Sequence, residues 1–85
     1  MTYTLVFETR AKKEFFDLPR QSVDLLRHVI DDLENNPRPS GAKKLSGADG
    51  YRVRKGDYRV LYTINDKDRV VTIYRIGHRK DVYRH

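Results

Sequence analysis

The 85 residues carry 18 Lys and Arg against 12 Asp and Glu, a formal net charge of +6, and contain no cysteine. That length allows one small domain with a thin core, and the lack of cysteine excludes disulfides and thiolate–zinc sites as its support. The three histidines His28, His78 and His85 lack ligand spacing, the start MTYTLVFETR lacks the apolar core of a signal peptide, and no stretch is long enough to span a membrane. No metal or cofactor is expected, and the chain is read as cytoplasmic.

In chain order, Tyr3, Leu5 and Phe7 alternate with Thr4, Val6 and Glu8, the period of a strand. Thr9 is placed to cap a helix with the apolar stripe Ala11, Phe15 and Leu18, and Pro19 stops it. A second helix starts near Gln21 or Ser22. Its positions Val23, Leu26, Ile30 and Leu33 step by threes and fours, Leu25 and Val29 widen the stripe, and Asn35-Asn36-Pro37 ends it. The run NPRPSGAKKLSGADG reads as a loop, pinned to the core by its one sizeable apolar residue, Leu45. From Tyr51 the period becomes two. Tyr51–Lys55, Tyr58–Ile64 and Val70–Ile76 read as strands, turned by Gly56-Asp57 and by Asn65-Asp66-Lys67-Asp68 into an antiparallel meander. The expected fold is α+β in two layers, with an N-terminal strand and a helical hairpin packed on a mostly antiparallel four-stranded sheet. Residues 1–85 are expected to form a single domain.

The charge is unevenly placed. Residues 1–48 hold eight Lys/Arg against seven Asp/Glu, and residues 49–85 hold ten against five. Basic charge gathered in one half suggests a polyanionic partner. A loop at Gly56-Asp57, or a four-residue one over Lys55–Tyr58, places Arg54 opposite Arg59 and Arg52 opposite Leu61, while Val53 meets Val60 and Tyr51 meets Tyr62 on the other face; a three-residue loop would shift this pairing. One face is then apolar and the other carries three guanidiniums with no acidic residue in either strand. Like charges opposed across a sheet repel. Planar donor forks in that arrangement make a phosphate clamp; an arginine-rich face with no ligand is the alternative.

The tail IGHRKDVYR, Ile76 to Arg84, adds the remaining chemistry. Gly77 is expected to break the last strand, so that His78 and Arg79 emerge at the sheet end and a short turn or helix carries Tyr83 and Arg84 back. Folded over the arginine face, this tail completes a toolkit for cutting RNA. The reaction needs a base for the ribose 2′-OH, donors for the crowded phosphate and an acid for the departing 5′-oxygen. Arginine stays protonated and serves only the second need. His78 and Tyr83 are the available proton movers; Tyr83 could instead stack on a base, and His78 could be a plain surface residue.

The strand–helix–helix opening, KKLSG at Lys43–Gly47, YRVRKGDYRVLY at Tyr51–Tyr62 and IGHRKDVYR together resemble bacterial toxins of the RelE type, within the RelE/ParE superfamily. The resemblance covers nearly the whole chain. It implies a RelE-like, microbial-RNase-like fold and a ribosome-dependent endoribonuclease that cleaves mRNA in the A site without a metal and is neutralised by a cognate antitoxin in a hetero-oligomer. Carried over, the family's basic pair falls at Arg52 and Arg54, its next-strand arginine at Arg59, the arginine after the last strand at Arg79 and its C-terminal tyrosine at Tyr83. The resulting catalytic set is Arg59, Arg79, Tyr83 and His78, with Arg52, Arg54, Lys55, Lys80 and Arg84 as RNA-binding residues. Some members carry lysine where this chain has Arg52 and Arg54. Arginine is a poor base, which shifts the proton step to Tyr83 or His78. The rival readings are a ParE-like toxin acting on DNA gyrase and a non-catalytic RNA-binding member.

Overall fold

The computed structural model describes residues 2–45 and 50–78. β1 (Thr4–Phe7), α1 (Thr9–Phe16) and α2 (Arg20–Asp32) are followed by β2 (Lys43–Lys44), β3 (Gly50–Lys55), β4 (Tyr58–Asn65) and β5 (Val70–His78). Among the described residues the sheet has five strands in the order β1-β5-β4-β3-β2. β1 runs parallel to β5 and the remaining pairs are antiparallel. The class is the expected α+β one, with a strand more than expected. Lys43 and Lys44 lie in the Pro/Gly-rich run, and two residues carry no readable period. Backbone pairing to Arg52 and Tyr51 makes them a strand.

The core lies between the helices and one sheet face. Ala11 of α1, Leu26 and Ile30 of α2, and Leu33 just beyond it pack with Val53, Val60, Tyr62, Val71, Ile73 and Ile76. The β3–β4 register agrees with the expected one at every pair, from Tyr51 with Tyr62 to Arg54 with Arg59. Gly56 takes a positive φ of 59° at the first loop position, where a two-residue hairpin of type II′ requires it.

Local boundaries differ from expectation for identifiable reasons. Thr9 does not cap α1. The N-cap is Glu8, in extended conformation with no side-chain cap bond, because the Glu8 N–H closes the β1 ladder on the Ile73 carbonyl at 2.9 Å. α2 begins at Arg20, with the Pro19 carbonyl accepting from the Ser22 and Val23 N–H groups. Asn65 stays in β4, and its side chain accepts the Asp68 N–H at 3.0 Å, which moves the turn to Asp66–Arg69. Arg69 takes a left-handed φ of 55° there. Gly77 does not end β5; it pairs with Arg59, and the strand runs on to His78. Leu45 does not enter the core. Its N–H bonds the Gly50 carbonyl at 2.8 Å, and its side chain packs over Gly50 on the face away from the helices.

The loop after α2 is tethered by polar contacts. The Tyr62 hydroxyl, buried between sheet and loop, donates to the Pro37 carbonyl at 2.7 Å, and burial pushes its pKa up to about 12. Arg38 donates to both Asp66 oxygens, at 3.1 and 2.8 Å, and from Nε to the Tyr51 hydroxyl. Tyr3 donates to the same carboxylate at 2.6 Å. The Arg38 hydrogen bond, then that of Tyr3, holds Asp66 down at about 2. A carboxyl lowered by folding stabilises the protein above its ordinary pKa and loses that contribution as pH falls through its folded value. Urea midpoints of the wild-type protein should therefore drop between roughly pH 4 and pH 2, and Asp66→Asn should lower the midpoint at pH 7 while flattening this acid limb. An unchanged acid limb in Asp66→Asn would refute the assignment.

Candidate functional site

The face of the sheet turned away from the helices is built from two cross-strand rows. In the first, Lys43 of β2 stands opposite Arg52 of β3, Arg52 opposite Leu61 of β4, and Leu61 opposite Arg75 of β5. In the second, Arg54 stands opposite Arg59, and Arg59 opposite Gly77. Directly opposed side chains have Cβ atoms about 5 Å apart, so five basic residues share one patch around Leu61. Arg59 and Arg75 are buried, at 8% and 9% exposure, whereas Arg52 is half-buried and Arg54 and Lys43 are exposed. The patch thus runs from exposed bases on β2 and β3 to buried guanidiniums on β4 and β5.

A β-bulge brings Arg75 to this face. Pairing steps from Tyr62 with Ile73 to Leu61 with Arg75, leaving Tyr74 as the extra residue. Strict alternation after Val71 and Ile73 would point Arg75 into the helix-side core and Ile76 out of it. The inserted Tyr74 reverses this: Ile76 is buried at 1% exposure and Arg75 joins the basic row. Tyr74 itself reaches across to Gly50, where a Cβ would meet its hydroxyl oxygen at 2.8 Å.

Glu14 of α1 holds Arg75 from the sheet edge. Arg75 Nε donates to its carboxylate at 3.1 Å, and the Ile76 N–H donates to Glu14 Oε1 at 3.0 Å. Neither Arg75 nor Glu14 stood out in the sequence. The readable signal was the spacing Val71, Ile73, Ile76, which breaks the two-residue period and announces a bulge. Lys43 joined the patch through a strand too short to detect.

The expected site residues do not all converge. Arg52, Arg54 and Arg59 share the patch. His78 closes β5 opposite Tyr58, its ring edge-on to the tyrosine at 6.1 Å between centroids. It therefore sits on the side of Tyr58, which packs against the helix-side core, and away from Arg59. Lys55 is also paired with Tyr58 and is exposed at the hairpin end. Arg79, Lys80, Tyr83 and Arg84 lie outside the described residues.

Chemically, the patch can neutralise and orient an anion with several oxygens. Guanidiniums remain charged at any relevant pH and offer paired N–H donors to phosphate. Arg54 and Arg59 oppose one another with like charge, an arrangement that an anion between them relieves. Among the described residues, no group of three His, Asp or Glu side chains is arranged to hold a metal.

Comparison with known proteins agrees with this architecture. The model of the ParE toxin of type II toxin–antitoxin systems (parDE) matches residues 5–83. The chain belongs to the RelE/ParE family of type II toxin–antitoxin toxins. Toxin RelG of Mycobacterium tuberculosis is 35% identical over 88 residues, covering 99% of each chain. The crystal structure of the archaeal RelE–RelB complex from Pyrococcus horikoshii superposes with a TM-score of 0.83 at 34% identity, covering 95% of this chain and 99% of that one. The intact E. coli RelBE toxin–antitoxin complex gives 0.80 at 29% identity, covering 89% of this chain and 95% of that one. Within this family fold, the basic patch occupies the sheet face that the helical hairpin leaves uncovered.

The opposed arginines predict effects of opposite sign on stability and anion binding. Arg54→Thr should stabilise the fold by about 0.3 kcal/mol, because it removes a like-charge cross-strand pair. It should also lower the slope of log affinity against log salt for single-stranded RNA by about 0.7. Chemical denaturation and salt-titrated binding measure the two effects. A destabilised variant with an unchanged salt slope would refute this account of the patch.

Proposed function

We propose that this toxin is an endoribonuclease that enters the ribosomal A site and cleaves the mRNA codon there, stopping translation. The observation that carries the reading is the gathering of Arg52, Arg54, Arg59 and Arg75 on one sheet face around a single apolar residue. A scissile phosphate in a constrained mRNA gains charge as the adjacent 2′-oxygen attacks, and preorganised donors aimed at that charge stabilise the transition state. The 2′-OH proton passes to a base, the 2′-oxygen–phosphorus bond forms, and the phosphorus–5′-oxygen bond breaks. The departing 5′-oxygen takes a proton, leaving a 2′,3′-cyclic phosphate and a 5′-hydroxyl. No step in this scheme uses a metal.

In this scheme Arg59 and Arg79 hold the phosphate, Arg52 and Arg54 clamp the flanking backbone, and Lys80 and Arg84 extend the contact. Tyr83 carries the proton step or stacks on the base. His78, placed beside Tyr58, is assigned no proton step. With arginine in place of a stronger base, cleavage depends on the ribosome to align the 2′-oxygen with the phosphorus; alignment of that kind supplies a large part of such a barrier.

The partner is a cognate antitoxin, as in the RelE–RelB and RelBE complexes of its relatives. Acidic residues laid over the basic patch, or displacement of the segment that carries Tyr83, would account for neutralisation. Among the described residues no helix is long and apolar enough to cross a membrane, and translating ribosomes place the target in the cytoplasm. A second reading, inhibition of DNA gyrase, is favoured by the ParE description of the matching family model.

One experiment separates the two. On ribosomes programmed with an open A site, mapped 5′ ends should show cleavage within the A-site codon by the wild-type protein and none without ribosomes. Arg59→Ala, Arg79→Ala and Tyr83→Ala should each lose about 100-fold in rate, whereas His78→Ala should retain activity. Intact mRNA together with inhibited gyrase supercoiling would replace this reading with the second.

A further inference from the structure

We propose that Glu14, a helix residue outside the basic patch, is a positioning residue for RNA cleavage. Its carboxylate fixes the Arg75 guanidinium in the patch and anchors the end of β5 that leads into the segment bearing Arg79 and Tyr83. The proposal rests on the endoribonuclease reading above.

The geometry of β5 sets the need. β1 pairs with β5 only as far as Ile73, where the Glu8 N–H takes the Ile73 carbonyl. Beyond that point, among the described residues, no strand lies beside the outer edge of β5. The Ile76 N–H on that edge goes to Glu14 Oε1 at 3.0 Å. The carboxylate thus accepts a β5 backbone N–H just after the bulge, as a neighbouring strand would. The same carboxylate accepts Arg75 Nε at 3.1 Å to one oxygen and 3.3 Å to the other. A planar guanidinium held through Nε has its remaining N–H groups directed by that contact.

Helix preference does not explain Glu14. The position lies in the last turn of α1, where the helix dipole disfavours a carboxylate. Its i,i+4 partner Arg10 is 3.9 Å away and mostly exposed, a contact of little weight. Its close donors, Arg75 Nε and the Ile76 N–H, are both on β5. Those bonds also couple α1 to the patch, so the helix layer and the anion-binding face share one carboxylate.

Several groups in an active site must be held within fractions of an ångström of productive geometry, and a misplacement near 1 Å costs about 100-fold in rate. Loss of Glu14 should act in that way: slower chemistry with unchanged docking.

The test uses single-turnover cleavage on programmed ribosomes across a range of toxin concentrations, with melting temperature measured for each protein. Glu14→Ala should lower the saturating rate by about 100-fold and leave the half-saturating concentration unchanged, and Arg75→Ala should lower the saturating rate at least as far. The double variant should be no slower than the worse single. Glu14→Gln keeps the shape and an acceptor for the Ile76 N–H, and should recover part of the rate; it also carries the test should Glu14→Ala fail to fold. Leu26→Ala, a core variant on α2 that touches neither Glu14 nor Arg75 through a hydrogen bond, reports what lost stability alone does to the rate. Wild-type rates in both Glu14 variants overturn the proposal. So does a change confined to half-saturation, or a rate loss no larger than that of Leu26→Ala at matched melting temperature. A wild-type protein that leaves mRNA intact overturns the endoribonuclease reading itself, an outcome distinct from active wild type with unaffected variants.

Discussion

Between Ile73 and Arg75 the ladder of β5 takes in one residue more than β4 can match, and the rest of the patch depends on that insertion. Tyr74 shifts the alternation of every later side chain by one position. Ile76 turns into the core, Arg75 joins the row of Arg52, Gly77 comes to lie beside Arg59, and His78 falls in beside Tyr58. Without the bulge, a guanidinium would point into the apolar helix-side core, and an isoleucine would lie in the row of Arg52. A bulge bends and twists its strand, and the Glu14 carboxylate meets β5 just after it, at the Ile76 N–H.

The two sheet faces make opposite thermodynamic demands. On the helix side, Leu26, Leu33, Tyr62, Ile73 and Ile76 are almost wholly removed from water and supply the cohesion a small domain needs. On the other side, Arg54 opposes Arg59, and Arg59 and Arg75 are buried. The opposed Arg54 and Arg59 are a like-charge pair, which costs the sheet stability. Glu14 moderates the tension at the sheet edge without placing a carboxylate between Arg52, Arg54 and Arg59. Among the described residues, no acidic residue pairs with Arg52, Arg54 or Arg59 across the sheet.

Loop anchoring follows the same economy of contacts. Arg38, Asp66, Tyr3 and Tyr51 join the loop after α2, the β4–β5 turn, the start of the chain and the face of β3 in one hydrogen-bonded group. The group lies on the helix side, with Tyr51 stacked on Tyr62 at 5.9 Å. It braces the β3–β4 hairpin from behind while the opposite face of the same strands presents its arginines. Rigid strands bearing the arginines and a polar clasp behind them suit the alignment that the proposed cleavage needs.

Much of this was legible in the residues themselves. The period of the apolar positions located both helices and the meander, and the Gly56-Asp57 turn fixed the β3–β4 register and so the opposition of Arg54 and Arg59. Those signals are local, carried by spacing within a few residues. Other features were decided only by contacts between distant segments. Lys43 and Lys44 became a strand because Arg52 and Tyr51 offered backbone partners. Leu45 packed over Gly50 because that register placed it on the outer face. β5 ran through Gly77 because β4 was long enough to pair with it. Glu14 and Arg75 met across 61 residues of chain, a contact with no trace in local spacing. The sequence alone determined both helices, β1 and the β3–β5 meander, and the shared face of Arg52, Arg54 and Arg59. The tertiary structure decided how far each strand extends, which way its side chains turn after the bulge and which carboxylate steadies the site, because these depend on neighbours that only folding brings together.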